Sequence, residues 1–156
     1  MKAHLLSVLL CASHYALAAS EFVPLSETAQ GQSLTGATLS NDSIFSNPAS
    51  SAFSTTYSVD GTYAMPKTFA VSILDTQTSG IGGGLGYFRK GVDYSEDPLQ
   101  GLRLALAGRA SEVIGVGATA KLVWGPGRAG HDNFKDVDVG AIANLGMIMA
   151  GVTATN

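Results

Sequence analysis

Alternation of apolar with polar or small side chains is the feature that most constrains the fold of this chain. It is clearest over Val113–Trp124, where Ile114, Val116, Ala118, Ala120, Leu122 and Trp124 alternate with Gly115, Gly117, Thr119 and Lys121. A period of two places successive side chains on opposite faces of a β-strand. The segment is therefore predicted to be a strand whose two faces meet different environments.

Six further stretches share this rhythm, and clusters of Gly, Pro or Asp separate them. The seven predicted strands are 54–65, 68–75, 81–88, 102–107, 113–124, 136–144 and 147–156. Membrane strands are about 9–11 residues long when tilted, and they are joined by short internal turns and longer external loops. If the first strand runs outward, the long polar segments predicted over Lys90–Gly101 and Gly125–Lys135 both lie outside.

Lys121 decides which face of the fifth predicted strand meets lipid. A lysine facing hydrocarbon near the middle of a bilayer costs about 2–4 kcal/mol. Thr119 and Lys121 are therefore predicted to face the lumen of a barrel, where replacement of Lys121 by leucine is expected to be tolerated. Tyr57 and Trp124 stand near strand ends, where aromatic girdles of membrane barrels lie.

The N-terminus has the pattern of a signal peptide over residues 1–18. Lys2 precedes a short apolar run at residues 5–12, and Ala16-Leu17-Ala18 supplies the small residues of a cleavage site. The run is too short to span a bilayer, which takes about 20 residues. The single cysteine, Cys11, lies in this run, so cleavage would leave no disulfide or thiol chemistry; a lipid anchor on Cys11 is disfavoured because bulky Leu10 precedes it.

Composition and motifs argue against nucleic-acid binding and against catalysis. A formal charge of −3 with 13% charged residues offers no cluster of Lys and Arg for phosphate contacts. Gly80–Gly86 lacks the lysine of a phosphate-binding loop and favours a strand packed closely on a neighbour. His131, Asp132, Asp136 and Asp138 lack the spacing of a metal site. We therefore expect no enzyme activity, no metal and no cofactor.

The Gly- and Ala-containing segment 31–46 followed by Asn47-Pro48-Ala49 resembles the N-terminal signature of the long-chain fatty acid transporter (FadL-like) superfamily of outer-membrane barrels. The resemblance implies that residues 19–53 form a plug in the lumen, with Asn47, Pro48 and Ala49 as its motif, inside a barrel of about fourteen strands. It also implies a location in the cell outer membrane and passive transport of hydrophobic small molecules such as fatty acids. A surface turn is the simpler alternative, because Asn-Pro favours turns in any protein.

The predicted fold is thus all-β, an antiparallel up-and-down transmembrane β-barrel of about seven strands over residues 54–156, which is incomplete. Unpaired strand edges are costly in lipid, so such a sheet is expected to pair with other copies, to misassemble, or to be an incomplete gene product. The expected partners are outer-membrane lipid and, during biogenesis, the barrel-assembly machinery. Two alternatives stay open: a structural or export-machinery barrel without transport, and a soluble periplasmic or secreted β-domain that binds a partner.

Overall fold

A computed structural model describes residues 41–64, 67–92, 95–125, 133–146 and 148–155. The predicted signal peptide (1–18) and the first part of the predicted plug (19–40) lie outside these residues. Two short 3-10 helices, Asn41–Ile44 and Pro48–Phe53, precede the strands. No helix in the described part of the chain is long and apolar enough to cross a membrane.

Seven strands form one antiparallel sheet in chain order, which confirms the all-β prediction and the number of strands. They are β1 (Tyr57–Ala64), β2 (Thr68–Asp75), β3 (Ile81–Val92), β4 (Ser95–Arg109), β5 (Ile114–Trp124), β6 (Asn133–Asn144) and β7 (Met149–Ala154). Among the described residues β1 pairs only with β2 and β7 only with β6, so the sheet has two free edges and is not closed into a barrel.

The long loop predicted over Lys90–Gly101 is wrong. The ladder between β3 and β4 continues through Lys90 opposite Leu99, and after a register shift Val92 stands opposite Ser95. Backbone pairing, supported by a 2.6 Å hydrogen bond from the Tyr87 hydroxyl to the Gln100 side chain, overrides the polar composition on which the loop was predicted. Likewise β6 begins at Asn133, not at Asp136. The connection between Trp124 and Asn133 is the longest one between strands.

The pairing register divides the sheet into two faces. One row of paired residues crosses six strands on what we call the apolar face: Val59, Ile73, Leu85, Leu104, Ala120 and Val137. The next row lies on what we call the polar face: Asp60, Ser72, Gly86, Arg103, Lys121 and Asp136. A shift of one residue would exchange the two sets, so the alternation fixes the register.

The exposed face of the sheet is largely apolar, whereas the buried face carries charged as well as apolar side chains. Many large apolar side chains on the apolar face are exposed, from 36% for Phe69 to 67% for Val59, and others there, such as Ile73 and Leu102, are half-buried. On the polar face, Arg103 is 2% exposed and Lys121 is 4% exposed. The difference arises because residues 41–53 pack over the polar face, where Ile44 and Phe45 join Leu74 and Phe88 in a small core.

Candidate functional site

The candidate site is the interface between segment 41–53 and the polar face. Asn47 begins the second 3-10 helix as its N-cap, because its side-chain oxygen accepts a hydrogen bond from the Ala49 amide at 3.0 Å. Pro48 follows at the first position of the helix, where the missing N–H is not needed. Asn47-Pro48-Ala49 thus has a local structural role, and all three residues are buried.

Two glycines of the sheet allow this helix to approach the strands closely. A Cβ on Gly117 of β5 would lie 2.7 Å from both the Ala49 amide nitrogen and the Pro48 carbonyl carbon. A Cβ on Gly140 of β6 would overlap the Asn47 side-chain oxygen. The side-chain Nδ2 of Asn47 donates to the Ala141 and Val152 carbonyl oxygens at 3.4 Å each. The motif therefore docks on β5, β6 and β7.

The first 3-10 helix is held to the other half of the sheet. The Asn41 side-chain amide donates to the backbone oxygen and the hydroxyl of Ser72, both at 3.2 Å. Arg103 of β4 donates to the Phe45 carbonyl oxygen at 2.9 Å. Its guanidinium also lies 5.6 Å from the centre of the Phe45 ring and 5.9 Å from that of Phe88. Arg103 therefore binds the segment through a charged hydrogen bond and through aromatic contacts.

Three charged side chains meet beneath the segment. Lys121 Nζ lies 2.8 Å from one carboxylate oxygen of Asp138, and an Arg103 terminal nitrogen lies 3.8 Å from the other. The side chains of all three are 2–4% exposed. Burial of such charges is costly unless they are paired. Asp138 therefore serves as counter-ion for two cations, one of which also holds segment 41–53.

The structure brings the predicted site residues onto one face. Thr119 and Lys121 are buried on the polar face, and Gly117 on the same face of β5 contacts Pro48 and Ala49. Whether that face lines a lumen depends on closure of the barrel, so their lumen-facing role stays a prediction. Arg103 was not predicted from the sequence, although alternation with Leu102 and Leu104 places it on the face of β4 that the leucines do not occupy. Asp138 was considered from the sequence only as a metal ligand.

Within the described residues no group of three His, Cys, Asp or Glu side chains could hold a metal ion; His131 and Asp132 lie outside those residues. The charged cluster instead joins a segment to a sheet. Comparisons of the chain with protein-family models, with curated proteins and with solved structures find no match.

Proposed function

We propose that this chain forms part of the wall of an outer-membrane β-barrel, that segment 41–53 lies in its lumen as part of a plug, and that the barrel passes hydrophobic small molecules such as fatty acids without a chemical step. The observation that carries this proposal is an exposed apolar face on a sheet whose charged side chains are buried on the other face. Valine, isoleucine and leucine cover the exposed face, whereas Arg103, Lys121 and Asp138 are buried on the other.

A lipid environment accounts for this arrangement better than water does. Soluble proteins rarely expose an apolar patch larger than a few hundred Å², and here exposed apolar side chains come from all seven strands of the sheet. Outer-membrane barrels alternate apolar residues facing lipid with polar residues facing the lumen. The hydrophobic effect then stabilises insertion of the apolar face, while the charges remain paired inside.

The distribution of charge on the apolar face supports strands that are tilted in a bilayer. Val71 of β2 lies in the same row as Lys135 of β6, through Tyr87, Leu102 and Leu122. The second row beyond it on the same face consists of Asp75, Gly83, Leu106, Ala118 and Val139. If the lipid-facing band of apolar residues ran parallel to these rows, only one row would therefore lie between the row of Lys135 and the row of Asp75. A band that runs obliquely places Lys135 at its border.

The slope of that band agrees with a membrane barrel. On β2 the apolar side chains centre on Val71, whereas on β6 they centre between Val139 and Ala141, five residues beyond Lys135. Five residues over four strand steps, with about 3.3 Å per residue and about 4.8 Å between strands, give a tilt of about 40°. Tilts of about 35–45° are usual in membrane barrels. Lys135 then lies about 13 Å from the centre of the band, at the border of an apolar zone about 25 Å tall.

The free edges of β1 and β7 require partners if the sheet enters lipid. Each unpaired backbone group in hydrocarbon costs several kcal/mol. On the apolar face, exposure is 61–67% for Tyr57, Val59 and Tyr63 of β1 and 65% for Val152 of β7, against 52–53% for Leu104 and Leu106 of central β4. The edge side chains therefore have room for a further neighbouring strand, and the proposal includes such strands in the functional barrel.

The class of ligand rests on the resemblance around Asn47-Pro48-Ala49 alone. A structural or export-machinery barrel would share every feature of the sheet and of segment 41–53. Uptake of a fluorescent fatty acid by liposomes that contain the full chain separates these two functions, because only a transport barrel should accelerate the uptake. A soluble periplasmic β-domain would instead appear in the soluble fraction without detergent.

Substitution of Val71 and of Leu122 by lysine tests the membrane wall directly. The two residues lie in one row and are each 44% exposed, so in water both changes should alter stability by no more than about 0.5 kcal/mol. In the oblique band Val71 lies at the centre, whereas Leu122 lies close to the border. We expect Val71→Lys to cost about 2–4 kcal/mol and Leu122→Lys about 0–1 kcal/mol.

The measurement is urea unfolding of the full chain in phospholipid vesicles. The folded fraction at each urea concentration is read from the heat-modifiable mobility of the protein in gels. Val71→Leu and Leu122→Val are matched controls that keep both sites apolar. Equal midpoints for the two lysine variants would contradict the oblique band, and small effects in both would favour a soluble domain.

A further inference from the structure

Among the residues that the structure describes, cations on the apolar face lie at one end of the sheet only. Lys67, Arg89 and Lys135 are exposed near the connections that follow β1, β3 and β5. At the opposite end, the charged residues on or next to this face are Asp75 and Glu112 in the described part of the chain. The border of the apolar band near Lys135 therefore carries the cations, with the exposed Asp97 of β4 at the same end of the sheet, and the other border carries acidic residues.

Lys67 and Arg89 form a pair of neighbouring cations on this border. The Gly91 amide donates to the Lys67 carbonyl oxygen at 3.1 Å, and a Cβ on Gly91 would lie 2.7 Å from the Lys67 Cβ. The Lys67 side chain therefore passes over Gly91, two residues from Arg89 on the same face. Neither cation forms an ion pair with another described residue, so both charges are open to an anion from outside.

Aromatic side chains lie directly beside these cations. The Phe69 and Tyr87 ring centres are 5.7 Å apart, and those of Tyr87 and Trp124 are 6.3 Å apart. Tyrosine and tryptophan favour the interface between hydrocarbon and headgroups, because their rings are amphipathic. Of these three rings, Tyr87 stands opposite Val71 at the centre of the band, whereas Trp124, at the end of β5, lies near the border where lipid headgroups begin.

A cleft of about 510 Å³ opens at the same border between the ends of β5 and β6. Leu122 and Trp124 give it an apolar wall, and Asn133 and Lys135 add polar groups at its rim. An amphipathic ligand with an anionic head satisfies both halves of this lining. Neither a free anion nor a neutral hydrocarbon does so.

We propose that this border, made of Lys67, Arg89 and the cleft at Trp124 and Lys135, binds the phosphate headgroups of anionic membrane lipids. The inference rests on the proposed membrane function, and it names a lipid partner for the wall. The phosphate lies against the cations, and an acyl chain lies along Trp124 and Leu122. Such contacts orient the protein, because only one border of the band attracts phosphate.

Trp124 is the only tryptophan, so it reports directly on neighbouring lipid. The full chain is reconstituted in phosphatidylcholine vesicles to which brominated phosphatidic acid or brominated phosphatidylcholine is added, and quenching of Trp124 fluorescence gives the relative affinity for the two lipids. We expect preference for the phosphatidic acid. Lys135→Gln should lower that preference about fivefold, as expected for one cation near an anionic surface. Lys67→Gln and Arg89→Gln should lower it further.

Lys90→Gln is the matched control, because Lys90 is exposed and adjacent to Arg89 but alternates to the polar face. It should leave the preference unchanged. Equal quenching by both brominated lipids, or an equal loss in the Lys90 variant, overturns the lipid site while leaving the membrane wall intact. Competition by inorganic phosphate would assign the border to free anions instead. Absence of quenching by either lipid would overturn the membrane wall as well.

Discussion

The buried ion pair between Lys121 and Asp138 makes a quantitative prediction. Asp138→Asn leaves the buried cations Arg103 and Lys121 without their shared carboxylate, and removal of one partner of a buried pair costs about 3–5 kcal/mol. Lys121→Met should fall at the lower end of that range, because Arg103 still faces the carboxylate. This reverses the expectation from sequence that an apolar residue at 121 is tolerated.

A double-mutant cycle measures the pair itself. The two single variants and the double variant are unfolded with urea in detergent micelles, with Trp124 fluorescence as the signal. Because the two side chains are in contact, the double variant should lose less than the sum of the single losses, by about 1–3 kcal/mol. With a urea dependence of about 1–3 kcal/mol per molar, a loss of about 3 kcal/mol moves the midpoint by about 1–3 M. A coupling below about 0.5 kcal/mol would refute the buried pair and indicate solvated charges.

Two further variants test segment 41–53. Gly117→Ala should lower the free energy of unfolding by about 1–3 kcal/mol, because its Cβ would meet the Pro48–Ala49 backbone at 2.7 Å. Gly61→Ala, which meets nothing within 4 Å, should be neutral or slightly stabilising, and similar urea midpoints for the two would mean that the helix does not pack on β5. Replacement of Asn47-Pro48-Ala49 by Gly-Ser-Gly should leave membrane assembly intact and raise leak conductance in planar bilayers. Unchanged conductance would instead favour the surface-turn interpretation.

Alternation was sufficient to predict the strands but not their ends. Every predicted strand exists, since a period of two determines which face is buried and therefore the register. Between Lys90 and Gly101, however, side-chain polarity indicated a loop although backbone hydrogen bonds continue the ladder almost to its tip. The polarity of a segment indicates whether its side chains contact water. At the tip of a hairpin the side chains of strands and of loops both contact water, so polarity does not distinguish a strand from a loop there.

The candidate site was predicted only in part, for a different reason. Asn47-Pro48-Ala49, Thr119 and Lys121 could be chosen from local patterns, whereas the contact of Arg103 with Phe45 joins residues 58 positions apart. Nothing in the spacing of a sequence fixes such a pair until the register is known. Once it is known, Lys121 and Asp138 fall on neighbouring strands of the same face, and their ion pair follows.

The seven-stranded meander also restricts how the sheet can be completed. In an antiparallel sheet taken in chain order, odd-numbered strands all run one way, so the two edges β1 and β7 point in the same direction. A second copy inserted through the membrane in the same sense would bring its β1 alongside β7 with parallel polarity, and each seam between the copies would break the antiparallel pattern. A barrel that is antiparallel throughout needs a strand beside β7 that runs in the opposite direction to β7. The number of added strands must then be odd, so that the total is even, as in bacterial single-chain barrels.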